Sequence, residues 1–168
     1  MAHGRWCSLA VVASVLVSGT ALRSTEPSTE VPFELYQRHL VVTRGSIGRL
    51  NNLNLLIDTG TIPIAVDARI ARKLRLQTEP AMLKAFGQRV PIQSAVVDGL
   101  RIGSLQSGPV PAGVGNLSYL QSAQVDAIVG LDVLARTNFS IDYQTRGLKF
   151  APEGREDAVA PLEIVCRL

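Results

Sequence analysis

The segment Leu55-Leu56-Ile57-Asp58-Thr59-Gly60-Thr61 places one carboxylate at the end of a strongly apolar run, just before a turn. A carboxylate beside such a run is costly to keep ionised unless hydrogen bonds or a shared proton compensate. The turn can supply both. Gly60 lets the backbone fold back so that amides reach the Asp58 oxygens, and the hydroxyls of Thr59 and Thr61 add donors. A single carboxylate of this kind acts as an acid or as a base, whereas splitting an amide with activated water needs both at once. Two carboxylates held close and sharing one proton meet that need, because like charges at such range cannot both ionise. One activates the water, and the protonated one hydrogen-bonds the carbonyl oxygen as it turns into an oxyanion.

Only one Asp-Thr-Gly stands in the chain, so a second carboxylate has to come from elsewhere. Within the chain the candidates are Asp126, which starts an apolar run, Asp132, in the first turn of an expected helix, and Asp142, in an expected hairpin. Each has an adequate structural role; for Asp132 it is a negative charge suited to the helix dipole. A symmetric dimer that brings two Asp58 side chains face to face is the simpler solution.

Several elements must position Asp58. Phe33-Glu34-Leu35-Tyr36 alternates, His39 to Thr43 is rich in β-branched residues, and Gly45 and Gly48 punctuate the chain before Leu53 to Ile57, which predicts strands joined by a glycine turn. Val66 to Leu74 has helical spacing, with Asp67 placed to cap it and basic residues late. Lys84 to Val90 and Ile92 to Val97 flank Gly87 as a hairpin. Leu100 to Gly103 reads as another strand edge, followed by a Gly/Pro-rich loop to Gly115. Ala127-Ile128-Val129-Gly130 is a short buried run. Leu131 to Thr137 makes about two helical turns, and Phe139 to Tyr143 with Leu148 to Phe150 forms a last hairpin around Gly147. The prediction is a small all-β domain with one or two short helices.

Residues from about 40 to 150 resemble the retropepsin-like (retroviral-type) aspartic proteases, especially their exported bacterial branch. The Asp58 segment is similar to that family's catalytic loop, the Gly87 hairpin falls where its flap lies, and Ala127 to Gly130 with a short helix resembles its apolar-apolar-Gly motif. The resemblance implies a closed, barrel-like single lobe working as a homodimeric aspartic endopeptidase on an extended peptide or protein substrate. It makes Asp58 catalytic, with Thr59, Gly60 and Thr61 completing the loop: Thr59 braces it across the dimer axis and Thr61 bonds Asp58. Phe86, Gly87 and Gln88 of the flap, with Ile62, would meet the substrate. The family dimerises partly through terminal strands, and Pro161 to Cys166 alternates like a strand, so residues 161–168 are expected to pair across the dimer, with a frayed tail as the alternative. Two positions depart from retroviral members. An Asp–Arg pair there is replaced here by Ile62 and Leu131, and an apolar contact can stand in for such a pair at little cost. The other reading is a catalytically inactive peptide-binding or regulatory domain on the same fold, for which the single glycine in Phe86-Gly87-Gln88-Arg89 speaks.

Composition narrows the classes further. Among 168 residues 46% are hydrophobic and 18% charged, enough for a core and unlike disorder. The net charge of +3 is dispersed, without the basic stripe and aromatic partners that nucleic acid requires. His3 and His39 lack the neighbours of a metal site, and no cofactor is implied when the nucleophile is water. His3 and Arg5, an uncharged run from Trp6 to Thr20 and small residues at Gly19-Thr20-Ala21 follow the layout of a secretory signal peptide. The run is short for a membrane span, which takes about 20 residues. Residues 1–22 are therefore expected to be a signal peptide, with an uncleaved anchor as alternative, 23–32 a linker, 33–155 the domain and 156–168 a tail. The location would be periplasmic or secreted. Cleavage would leave Cys166 without Cys7, as a free or intermolecular thiol.

Overall fold

The computed structural model describes residues 30–85 and 87–150, so the expected signal peptide, most of the linker, the tail, both cysteines and Phe86 lie outside the described residues. In chain order the elements are β1 (Val31–Tyr36), β2 (Leu40–Ile47), β3 (Leu50–Ile57), β4 (Ile64–Asp67), α1 (Ala68–Leu74), β5 (Glu79–Ala85), β6 (Gln88–Val97), β7 (Leu100–Ile102), β8 (Leu105–Ser107), β9 (Val110–Gly115), a 3-10 helix (Ser118–Ala123), β10 (Ala127–Val129), α2 (Leu131–Leu134), β11 (Phe139–Asp142) and β12 (Gly147–Phe150). β1 thus begins two residues before the pattern change at Phe33.

The strands form one sheet in the order β11-β12-β1-β2-β3-β10-β4-β9-β6-β5, with β7 attached to β2 and β8 to β7. The path is open, which corrects the expected closed barrel. The reason lies at the β5 end, where Glu79, Pro80, Met82 and Lys84 are all exposed, so among the described residues no layer lies there for the strand to close onto. The mostly-β class with two short helices holds.

Alternation along β3 sends Leu53, Leu55 and Ile57 into the main core, where they meet Val41, Ile64, Val66, Ala127 and Val129. The opposite face carries a second cluster around Val42, Leu56 and Ile128. β10 is buried on both faces, as a strand in the middle of a sheet should be. It runs parallel to β3, with Leu56 opposite Ile128, and antiparallel to β4, with Ile128 opposite Ala65. Asp67 caps α1 by accepting the Arg69 N–H at 2.9 Å, and Arg72 and Lys73 close its last turn, as the sequence predicts.

Three expectations shift. The Gly/Pro-rich stretch before Gly115 holds β8 and β9, and β9 is central, parallel to β4. Val66 belongs to β4, ahead of the helix, and α2 is shorter than expected. The last hairpin turns at 143–146, and Gly147 opens β12.

Asp142 organises that turn by accepting the Gln144 N–H at 2.8 Å and the Thr145 N–H at 3.0 Å. The Thr145 N–H, then that of Gln144, holds its carboxyl below the usual value of 3.8. A depressed native pKa contributes stability that is present above the ordinary value and lost as pH falls through the native one. Asp142→Ala should therefore lower the Tm most near neutral pH, with the gap to the parent chain narrowing through the acid range in a thermal-melt series.

Candidate active site

β3, an interior strand between β2 and β10, ends just before Asp58. The Asp58 N–H donates to the Val129 carbonyl at 3.1 Å, which extends the β3–β10 ladder one residue past the strand. The chain then turns, with the Thr61 N–H reaching the Asp58 carbonyl at 3.4 Å. This turn carries the side chain's support. The Gly60 N–H donates to Asp58 Oδ1 at 2.8 Å, and the Thr61 hydroxyl donates to Oδ2 at 2.6 Å. Each oxygen therefore holds one donor from within the loop, fixing the carboxylate plane while leaving acceptor capacity on both. The group is half-buried, and among the described residues no cation pairs with it. A Cβ at Gly60 would lie 3.3 Å from Oδ1, so glycine there keeps the carboxylate uncrowded.

The loop is fixed from behind by the residues after β10. The Leu131 N–H donates to the Thr61 carbonyl at 2.9 Å. A Cβ on Gly130 would run into that same carbonyl oxygen and lie 2.9 Å from Asp132 Oδ1. Asp132 Oδ2 accepts the Ile64 N–H at 3.1 Å, which ties the start of α2 to the start of β4. Its Oδ1 is buried without a partner among the described residues. Residue order makes Asp132 a candidate second carboxylate with a helix-dipole role, whereas its tie to the Ile64 N–H has no local mark.

Asp58, Gly60 and Thr61 are thus joined by hydrogen bonds, with Thr59 and Ile62 on the exposed side of the same loop. Ile62 keeps 61% of its surface exposed, too much for the buried apolar pair that would replace an ion pair with position 131. Gly87, at φ +77°, and Gln88 stand exposed at the tip of the β5–β6 hairpin, which reaches the Asp58 loop through the ladder only by way of β9 and β4.

The other candidate carboxylates, Asp126, Asp132 and Asp142, are engaged in other bonds, as is Asp67. Asp126 Oδ2 accepts the Asn54 N–H at 2.8 Å and its Oδ1 pairs with Arg69 at 2.8 Å. Asp67 pairs with the same Arg69 at 3.2 Å and accepts the Leu117 N–H at 3.0 Å. These residues line a cleft of about 830 Å³ that does not include Asp58, and a second cleft of about 460 Å³ under the hairpin does not include it either. Asp142 serves its turn. Among the described residues no three or more His, Cys, Asp or Glu stand together as metal ligands. What the geometry offers is one oriented, solvent-reachable carboxylate able to give or take a proton.

Comparison with known proteins adds to this. The sequence model of a family described as aspartyl protease matches residues 43–133. A retropepsin-like aspartic protease from Rickettsia conorii superposes with a TM-score of 0.53 at 18% identity, covering 73% of this chain and 90% of that one. The retroviral protease-like domain of Ddi1 from Leishmania major gives 0.44 at 13% identity, covering 71% and 98%. No curated protein matches. The first likeness shows a retropepsin-like fold.

Gly130→Ala tests the support behind the loop. Forcing a methyl against the Thr61 carbonyl should cost about 1–3 kcal/mol in urea unfolding. A change below about 0.5 kcal/mol would mean the approach of loop and glycine constrains nothing.

Proposed function

The chain belongs to the aspartyl protease family, matched over residues 43–133, and from that premise we propose that it is an aspartic endopeptidase assembled from two copies, each giving one Asp58. The observation that carries this is the Asp58 carboxylate itself, half-buried at the end of β3 with one loop donor on each oxygen. In the proposed reaction the pair holds one proton. The ionised member takes a proton from water as the water oxygen bonds to the scissile carbonyl carbon. The protonated member donates to the carbonyl oxygen, giving a neutral gem-diol. The C–N bond then breaks as the amine takes a proton from the first carboxyl and a diol proton returns to the second, which restores the pair.

The second carboxylate is assigned to a partner because Asp67, Asp126, Asp132 and Asp142 each accept backbone N–H groups elsewhere in the protomer. A two-fold axis brings identical loops together with no further element. Thr59 would brace the paired loops, and Gly87 and Gln88, with Phe86, would cover an extended peptide from the hairpin. Residues 161–168 are proposed to add a strand across the dimer. Export through residues 1–22 would place the enzyme in the periplasm or outside the cell.

Asp58→Asn replaces the proton carrier with an isostere. Peptide cleavage should fall by at least about 10³-fold, while the Tm stays within a few degrees. Activity per chain of the parent should rise with concentration in step with dimer measured by sedimentation. A hydroxyl-bearing transition-state analogue should block it. Undiminished cleavage by Asp58→Asn, or full activity in a sedimenting monomer, sinks the assignment; a folded dimer that binds peptide without cleaving it points to the inactive binding domain.

A further inference from the structure

The face of the sheet that carries Asp58 is already occupied next to it. Asp58 lies two residues beyond Leu56 and keeps the ladder with β10, so its side chain leaves on the face of Leu56, away from the main core. Val42, Leu56, Ile128 and Ala65 stand opposite one another in a single row across β2, β3, β10 and β4. Leu40, one residue before the Val41 that pairs with Ile57, extends this apolar ground alongside Asp58.

The segment between β9 and β10 covers that ground with Leu117, Leu120, Ala123 and Val125, leaving Leu56 only 4% and Ile128 only 6% exposed. The cover is anchored at both ends. The Leu117 N–H donates to Asp67 Oδ2 at 3.0 Å, and Asn54 Nδ2 donates to the Gln124 carbonyl at 3.1 Å. A loose flap would lack such ties. The 3-10 helix inside it kinks at Leu120, which is half-buried while Leu117 and Val125 are buried.

An extended peptide crossing Asp58 turns alternate side chains toward the sheet, and those beside the cleaved bond meet this filled ground. We infer that the segment from Leu117 to Val125 sets the substrate class: it admits a small residue (glycine, alanine or serine) beside the cleaved bond and turns away large apolar ones. The inference rests on the reading of Asp58 as the catalytic carboxylate. Leu120 is the specificity-determining side chain, because its truncation opens the ground while the more deeply buried covering residues keep the fold.

The full chain carrying Asp58→Asn, which binds without turnover, is titrated with two peptides identical except for Ala or Phe beside the bond to be cleaved. The Ala peptide should bind at least about tenfold tighter, since a misfit of one methylene in an apolar site is already worth about that much. Adding Leu120→Ala, or the milder Leu120→Val if the first fails to fold, should shrink that ratio about tenfold or less in proportion to the atoms removed. Tyr119→Ala should leave it alone, since Tyr119 is 72% exposed and outside the cluster. Equal or tighter binding of the Phe peptide, binding of neither peptide, or an unchanged ratio in the Leu120 variants overturns the inference. The parent chain separates the two claims. Ala-selective binding without cleavage sinks only the hydrolase reading, and cleavage that favours Phe sinks only the specificity reading.

Discussion

The arrangement depends on strand β10 being threaded between β3 and β4. Strands adjacent in sequence usually pair as a hairpin, but here β3 and β4 are held apart by Ala127 to Val129. The connection 58–63 must therefore cross two strand spacings, about 10 Å, over the end of β10. A crossing that short cannot avoid whatever residue follows the threaded strand. That residue is Gly130, whose missing side chain lets the Thr61 carbonyl come close, and Leu131 then donates its N–H to the same oxygen. The pose of Asp58 follows: its own N–H is tied to β10, its carboxylate to a loop that β10 supports.

A strand three residues long needs fixing at both ends to hold such a position. At the end away from Asp58, the Asp126 N–H donates to the Asn54 carbonyl at 2.8 Å and its carbonyl accepts the Asp67 N–H at 3.0 Å. The Asp126 and Asp67 side chains, 12% and 10% exposed, share the Arg69 guanidinium. Charges so covered are tolerated only when paired and hydrogen-bonded, and removing one partner costs more than the pair contributes. The cluster is best understood as a structural lock on β10 and on the segment that starts at Leu117, with no part in proton transfer. Covering the Leu56 row and holding Asp58 are thus two consequences of one anchored strand.

What was legible in the sequence follows from range. The contacts of Asp58 with Gly60 and Thr61 span at most three residues, so residue types and order alone announced them. The Asp67 cap and the α1 spacing are equally local. Ties between distant positions, Asp132 to Ile64 and Asp126 to Asn54, had no local mark. β9 was hidden by its own composition, Val110-Pro111-Ala112-Gly113-Val114-Gly115, where proline and glycine signal a loop. Proline is tolerated because Pro111 lies before the pairing with β4 begins at Ala112, so its missing N–H breaks no ladder on that side. β4 vanished into the following helix because Ile64, Val66 and Ile70 fit either period over so short a stretch. The open sheet was beyond local reading, since closure depends on what, if anything, lies against β5.

The loop surface raises a last question of energetics. Ile62, 61% exposed, sits beside an exposed Thr59 and Gly60 on a side of Asp58 that, among the described residues, is left uncovered. In the proposed dimer this surface meets its mate. Burying the remaining surface of Ile62 would contribute about 1–2 kcal/mol per copy, well short of association, and six loop residues cannot approach the roughly 1,200 Å² of a stable interface. The loop can set the symmetry of the pair without holding it together. Most of the binding area must then come from elsewhere in the proposed dimer, and the proposed pairing of residues 161–168 across it would be one source. Precision at Asp58 and strength of association would on this account reside in different parts of the sequence: a rigid loop that tolerates no methyl at Gly130, and a terminal strand that needs only length and apolar alternation.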